Sequence, residues 1–445
     1  MGDSLIGYAG ILLGMFSIGV MQLVLATALP FIVAEIGGGD LYSWVFSSYM
    51  LASLAAIPLF SKLADIYGKR RFYLLGMGVF AIGSLYGGFA PSMIHLIASR
   101  VVQGLGAGII MPVALAMITD MFPAEKRGSM IGIFGFVQLS ANLLSPPLGS
   151  FMTRSLGWPW IFFLNVGLVV LSSFLLLLNG KQEESKSFIK PLEIDIAGGV
   201  IFGGFCVLTV GFANVLGKQM QGDFSGLWIL LAIVMTAATL VVIESRHQNP
   251  IIKIEFFKTK IIRSSIISSI LAGAIMYGLV TILPLYGIIL HRQGFQFDES
   301  KILLLFMIGI TIGLLTSSRL VGKARSVHYP KLLWGLMSAS ALLMVYSINI
   351  QNLMTFNVLN ILIGVGTGGV MATFLINSQN AISSEDRTTL SGLIQLGRYF
   401  GASLGVTLLA GMLPEVTQIS GIGQFVGAFG LLAALCAAGL VNEIM

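Results

Sequence analysis

The chain has 445 residues, of which 56% are hydrophobic and 10% charged; its net charge is +6 and its mean hydropathy +0.93. A soluble domain carries about 25% charged residues, so this sequence cannot cover a water-facing surface, and lipid is its expected solvent. Cys206 and Cys436 both sit in apolar runs, and His95, His247, His291 and His328 are scattered. These placements argue against a disulfide framework and offer no metal-ligand spacing and no cofactor motif.

Fourteen apolar segments are long enough to cross a bilayer, which takes about 20 residues each. They cover roughly 5–33, 43–63, 72–91, 93–121, 128–151, 158–180, 195–217, 225–243, 262–290, 301–321, 330–349, 352–378, 389–413 and 421–442. The unbroken runs exclude a β-barrel, whose strands alternate over shorter stretches. The 54 glycines suit helices that approach closely in lipid. The first segment lacks a basic leader and is long enough to span, so no cleavable signal peptide is expected. Ile6 stands where a myristoylation signal needs Ser or Thr. Within it, "VMQLVLATALP" carries one polar side chain of size, Gln22.

The loop after the second segment reads "SKLADIYGKRR", Ser61 to Arg71. It sets Asp65 beside Lys69, Arg70 and Arg71, with Gly68 for the bend, and so can form a charge network at a helix end. The fourth segment contains "SRVVQGLGAGIIMP". An arginine at a helix centre costs roughly 2.5–3.5 kcal/mol on insertion scales. Arg100 is therefore expected to face the bundle interior or a wet cavity, bonded to carbonyls or polar side chains. Gln103, one turn on, shares that face. The fifth segment carries Gln138 and Asn142 and ends in "SPPLGS"; the thirteenth, "QLGRYFGASLG", holds the second intramembrane cation, Arg398. No Asp or Glu lies well inside a segment: Glu35, Asp40, Asp120, Asp195, Glu244, Glu299, Glu415 and Glu443 all fall at rims or in loops. The longer connections are "NGKQEESKSFIKPLEID" and "ESRHQNPIIKIEFFKTKIIR". The second mixes aromatic, aliphatic and basic residues and suits either an interfacial helix or an ordinary basic linker.

Lysines and arginines set the orientation. With the N-terminus in the cytoplasm, nineteen lie in inside loops and four (Arg154, Lys218, Arg292, Lys301) in outside ones. Both termini are thus expected in the cytoplasm, and the basic charge reflects topology and the inner leaflet, not nucleic acid. A repeat is also present. Shifted by 260 residues, Gly104, Gly106, Gly108, Met111, Glu125, Arg127 and Gly132 meet Gly364, Gly366, Gly368, Met371, Glu385, Arg387 and Gly392. Arg100 meets Asn360, and Gln138 meets Arg398. The expected organisation is a six-helix bundle over 1–180, two added helices with cytoplasmic linkers over 181–260, and a second six-helix bundle over 261–445. Repeats of this kind mark secondary transporters that rock two halves about a central site.

Several of these motifs together resemble the major facilitator superfamily. Leu63, Asp65, Gly68, Lys69 and Arg70 match its pattern G-x-L-a-D-r-x-G-r-r, with Ser61 and Ile66 departing from it. "SRVVQGLGAG" is similar to R-x-x-Q-G-x-G-a-g, and "DMFPAEKRGSMIG", "LGWPWIFFLNV" and "NPIIKIEFF" extend the likeness along the chain toward the fourteen-helix drug/proton antiporter branch. The resemblance implies an all-α polytopic fold and a conformational latch of Asp65, Gly68, Lys69, Arg70 and Asp120. For Arg100 it implies proton coupling or substrate contact, against the plainer reading of a cation that ties helices together. Arg100, Gln103, Gln138, Asn142, Arg398 and Gln22 are the expected cavity residues, with helix-packing hydrogen bonds as the alternative. Two departures bear on coupling. Met21 stands where the branch places an acid in its first span, and "SPPLGS" keeps Pro146 and Gly149 of the span-five antiporter motif but loses two glycines. Arg does not deprotonate, so a proton carrier here must be a rim acid: Glu35, Asp40 or Asp120.

The expected function is export of hydrophobic or amphipathic small molecules by alternating access, with proton antiport as the coupling that the branch implies. The expected partners are such a substrate, the bilayer and protons, with the protein a monomer in the cell membrane. Phe134, Phe136, Met276, Tyr277, Tyr399 and Phe400 suit a bulky amphipathic ligand or ordinary packing. An uncoupled facilitator or lipid translocator is one alternative, and a non-transporting sensor another. No Ser/His or His/Glu constellation within the spans suggests an enzyme.

Overall fold

The computed structural model describes residues 2–178, 196–218, 225–246, 254–294, 299–320, 328–349, 352–382, 387–414 and 416–444. Among these residues there are fifteen α-helices, a few 3-10 turns and no strand. In chain order the helices are α1 (Gly2–Leu23), α2 (Leu25–Ile36), α3 (Tyr42–Tyr67), α4 (Lys69–Gly88), α5 (Met93–Met121), α6 (Ala124–Ser155), α7 (Pro159–Leu178), α8 (Ile196–Lys218), α9 (Ser225–Arg246), α10 (Lys260–Arg292), α11 (Glu299–Leu320), α12 (Tyr329–Asn349), α13 (Leu353–Asn380), α14 (Arg387–Gly411) and α15 (Val426–Ile444).

A helix occupies each of the fourteen expected segments. The first holds both α1 and α2, which are separated only by Val24, whose N–H still reaches the Val20 carbonyl at 2.8 Å. Twelve helical stretches are long and apolar enough to cross a membrane by length and composition. The other two segments are α4, whose basic first turn and glycines dilute its hydropathy, and α8, whose apolar part is Gly198–Ala213. The linker 181–194, Lys253, Lys323, Arg325, Asp195, Glu385 and Glu415 lie outside the described residues. In the basic connection before α10, the described part is a 3-10 turn, Ile254–Lys258. Its Phe256 is buried in a cluster with Ile262, Ile266, Leu390, Leu393 and Ile394.

The chain forms two compact units, Met1–Phe205 with Thr236–Ile251 and Cys206–Met235 with Ile252–Met445. In the first, α5 packs against α3 and α4, α7 against α1 and α4, and α6 against α1. In the second, α13 packs against α11 and α12, α15 against α10 and α12, and α14 against α10. The 260-residue shift carries each helix of the first set onto one of the second, so both units repeat one packing scheme.

Glycine sets the spacing in both. A Cβ on Gly104 or Gly108 of α5 would meet the backbone carbonyls of Tyr49 or Ser53 on α3, and one on Gly106 would meet the Gly76 carbonyl on α4. In the second unit, Gly364 and Gly368 of α13 face the carbonyls of Phe306 and Ile310 on α11 in the same way. Between α10 and α14 the glycines interlock: Gly273 faces the Arg398 carbonyl, while Gly401 and Gly405 face those of Ile270 and Ala274. Helices in lipid gain little from hiding apolar surface from one another, and close backbone contact is what remains. A second joint forms where α6 crosses the α1–α2 interruption. Ser145 Oγ donates to the Val20 carbonyl at 3.3 Å, Thr27 Oγ1 to the Pro146 carbonyl at 3.3 Å, and Gly149 lies against the Val24 carbonyl.

Gly368→Val is expected to wedge α13 from α11, because backbone cannot yield as a side chain can. The cost should be at least the roughly 1–3 kcal/mol of an overpacked core. Gly132→Ala, with nothing within 4 Å of the added carbon, should not destabilise, and helix propensity favours alanine there by up to about 1 kcal/mol. Thermal unfolding of both variants in detergent, followed by size exclusion, checks the contrast; equal melting would refute the role given to the Gly368 contact.

Candidate functional site

Arg100 is 0% exposed. The glycines that follow it draw α5 onto α3, so its side chain leaves between the two helices and lies along α3. Its Nε donates to the Val45 carbonyl at 3.3 Å, its Nη1 donates to Gln103 Oε1 at 2.7 Å, and its guanidinium stacks 4.1 Å from the Tyr49 ring centroid. Arg100 and Gln103 are three apart on α5, a spacing that puts side chains on one face. Gln103 Nε2 then donates to Ser84 Oγ on α4 at 2.8 Å. Ser84 Oγ lies 3.1 Å from Asn165 Oδ1 on α7, and Asn165 Nδ2 donates to the Ser17 carbonyl on α1 at 3.1 Å. One buried chain of polar groups thus ties α3, α5, α4, α7 and α1 together. The partners that disperse the Arg100 charge here are neutral: an amide, a carbonyl and an aromatic ring.

The counterpart in the second unit keeps the tie without the charge. Asn360 of α13 is fully buried, and its Nδ2 donates to the Ile302 carbonyl on α11 at 2.8 Å. Residues 100 and 360 therefore make the same link, from one helix to a backbone carbonyl near the start of the helix beside it.

The remaining expected cavity residues fall in separate places. Gln22 is buried, with Nε2 3.9 Å from Met50 Sδ, next to Tyr49 on α3. Gln138 on α6 lies against Gly19 of α1, with its Oε1 buried and accepting no hydrogen bond, and Asn142, one turn on, is half-buried. Arg398 lies in the second unit. Its Nη2 donates to Gln395 Oε1, its guanidinium carbon is 5.8 Å from the Tyr399 ring centroid, and it lines a cavity of about 60 Å³ with Ser268, Ser269, Phe374 and Gln395 among others. Arg100 and Gln103, for which a cavity position or a helix-tying role is expected, are both 0% exposed and bonded between α5, α3 and α4. Met276, Tyr277 and Tyr399 are buried in the core of the second unit, whereas Phe136 is 69% exposed.

At the α3–α4 turn Gly68 adopts φ +107°, a backbone that favours glycine, and caps both helices. Lys69 follows it and lies 2.7 Å from Asp120 Oδ2 on α5 and 3.7 Å from Asp65 Oδ1. Arg70 Nη2 donates to the Leu176 and Leu177 carbonyls at the end of α7, at 3.0 and 3.2 Å. Of the expected latch, then, Asp65, Lys69 and Asp120 converge, while Arg70 caps α7, where a cation complements the helix dipole. Among the rim acids, Glu35 accepts a hydrogen bond from Trp158 Nε1 at 3.0 Å, and Asp40 sits in the 3-10 turn Gly39–Leu41. Glu244 and Glu299 occupy terminal turns, as their sequence positions indicate, but are only 4% and 1% exposed. Among the described residues no cluster of three or more His, Cys, Asp or Glu could hold a metal. Sequence reasoning missed Ser84, Asn165, Tyr49 and Ser17. Asn165 could have been singled out as the lone amide of α7; the serines are too common along the chain to stand out.

A sequence model of the Major Facilitator Superfamily matches residues 11–406. The chain belongs to this superfamily. This superfamily member is 32% identical over 415 residues to Multidrug resistance protein 3 of Bacillus subtilis, covering 90% of this chain and 77% of that protein. It is 28% identical over 419 residues to the multidrug transporter protein MdtP of the same organism, covering 91% and 74%. Among solved structures, a crystal structure of the peptide transporter POT superposes with a TM-score of 0.70 at 16% identity, covering 98% of this chain and 93% of that one. The chain is thus a multi-pass membrane transporter and not an enzyme.

Gln103→Leu should lower the unfolding free energy by about 2–3 kcal/mol, because it removes the neutral partner of a buried charge. Arg100→Met should cost less, since it removes the buried charge itself and leaves only neutral acceptors, Gln103 Oε1 and the Val45 carbonyl, short of a donor. Chemical denaturation of the two variants in detergent ranks them; the reverse order would mean that the guanidinium, not its shielding, holds the five helices.

Proposed function

We propose that this transporter exports hydrophobic or amphipathic small molecules by alternating access. In this reading it crosses the membrane fourteen times with both termini in the cytoplasm. Two six-helix halves, 1–180 and 261–445, flank two added spans in 181–260. The observation that carries the reading is the likeness, over nine-tenths of the chain, to proteins named for multidrug resistance and multidrug transport. The distribution of Lys and Arg among the loops supports the orientation. The convergence of Lys69 with Asp65 and Asp120 supports a latch at the α3–α4 turn. Such an exposed ion pair contributes about 1 kcal/mol or less, which suits a contact that must break in each cycle.

Proton antiport, the coupling that the branch implies, would run through Glu35, Asp40 or Asp120. A second reading, uncoupled facilitation, is favoured by the neutral surroundings of Arg100 and by the confinement of the acids to the rims of the segments.

Purified protein in liposomes loaded with a lipophilic fluorescent dye tests these readings. Wild type is expected to release the dye, and Arg100→Ala, reconstituted to the same density, is expected to lose most of that flux. Flux that survives the substitution would leave Arg100 a structural tie only. Under an imposed pH gradient, accelerated release supports antiport, and unchanged release supports the uncoupled facilitator. No release under any gradient would overturn export in favour of a non-transporting role.

A further inference from the structure

Two cations lie within the spans, and the structure treats them differently. Arg100 gives Nε and Nη1 to the packing of the first unit, and its Nη2 is buried there and donates no hydrogen bond. Arg398, on α14, borders a cavity formed wholly within the second unit by α10, α13 and α14. Its Nη2 is held by Gln395 Oε1, which turns the guanidinium along α14, while its Nε is buried and donates no hydrogen bond. The cavity wall has two kinds of surface. Ser268, Ser269, Ser391 and Gln395 are polar; Val370, Met371, Phe374, Leu375 and Ile394 are apolar; and no carboxylate is among the lining residues.

A guanidinium out of water is costly without an anionic or dipolar partner. Its planar fork of N–H donors matches the two oxygens of a carboxylate. With Gln395 taking one Nη2 proton, the other Nη2 proton and the Nε–H remain without an acceptor. The volume, about 60 Å³, is far below the roughly 300–1,000 Å³ of a pocket that engulfs a drug-sized molecule. It admits a headgroup and leaves an attached chain to run out along Met371 and Leu375.

We propose that the Arg398 cavity binds the carboxylate of an amphipathic monoanion, so that the second unit selects organic anions with an apolar body. This rests on the export reading and names its substrate class. An ammonium headgroup would face Arg398 directly and be repelled.

Octanoate, octanamide, octylammonium and chloride, titrated into the purified full chain in detergent by calorimetry, test the proposal. Octanoate should bind, octanamide and octylammonium should not, and chloride should compete only weakly. Arg398→Gln should weaken octanoate binding at least tenfold, and Arg398→Lys should restore part of it. Ser391→Leu, at the half-buried edge of the cavity, keeps the arginine and should also weaken binding by filling the space; it covers the case in which Arg398→Gln does not fold. Wild-type affinity in both Arg398→Gln and Ser391→Leu, or octylammonium binding as tightly as octanoate, would overturn the proposal. Since binding is read without flux, dye export with no octanoate binding defeats the anion site alone. Octanoate binding with no export of any dye defeats the export reading and leaves the site.

Discussion

The fold depends on how closely helix backbones approach where no water drives them together. In lipid a leucine gains nothing by leaving the solvent for another helix, so cohesion has to come from dispersion and hydrogen bonds at short range. The contacts of Gly104 and Gly108 with α3, and of Gly364 and Gly368 with α11, set that range. The polar links follow from it. Ser53 Oγ reaches the Gly104 carbonyl at 3.0 Å because nothing stands between the helices. The amide of Gln103 reaches Ser84 across a seam in which Gly83 lies against the Gln103 backbone. A side chain at any of these glycines would push the helices apart and break hydrogen bonds several residues away.

That closeness also explains how a permanent charge is kept in a greasy bundle. Arg100 has no carboxylate across from it in this network; its charge is spread over a carbonyl, an amide oxygen and the face of Tyr49. Each of these is a dipole or quadrupole already held in place by the fold, so solvating the guanidinium requires little further ordering. A carboxylate would offer more attraction, but it too would have to leave water. Lys69 shows the other regime. It pairs with real acids at a half-exposed turn, where water screens the interaction and the pair is easily exchanged.

The helices themselves could be read from the sequence, because a membrane span is written as a long apolar run that needs no partner to be recognised. The 260-residue repeat could also be read, since glycines at fixed spacing survive wherever two backbones touch. Arg100 and Gln103 stood out as polar residues in an apolar run, and their mutual hydrogen bond follows from helical spacing. What the sequence does not carry is which neighbour each helix presents. That Arg100 faces the bundle interior follows from its cost in lipid, but that it meets Val45 and Tyr49 of α3 does not; Glu244 and Glu299 sit at the rims yet are buried; Ser84 and Ser17 look like every other serine until α4, α7 and α1 are brought together. Lys69 meets Asp120 while Arg70 reaches the end of α7, because the turn at Gly68 aims consecutive side chains at different helices, and a turn's aim is a three-dimensional property.

The pair formed by Arg100 and Asn360 says something about how such a duplicated protein can diverge. Both residues make the one link that the architecture needs, an N–H given to a carbonyl of the adjacent helix. An amide makes that link as well as a guanidinium does. The link is therefore common to both halves, while the charge in the first also draws on Gln103, whose counterpart under the 260-residue shift is Ile363. A duplicated bundle of this kind holds one mechanical socket twice, and it is wired for a cation only in the half where a second polar side chain stands one turn away.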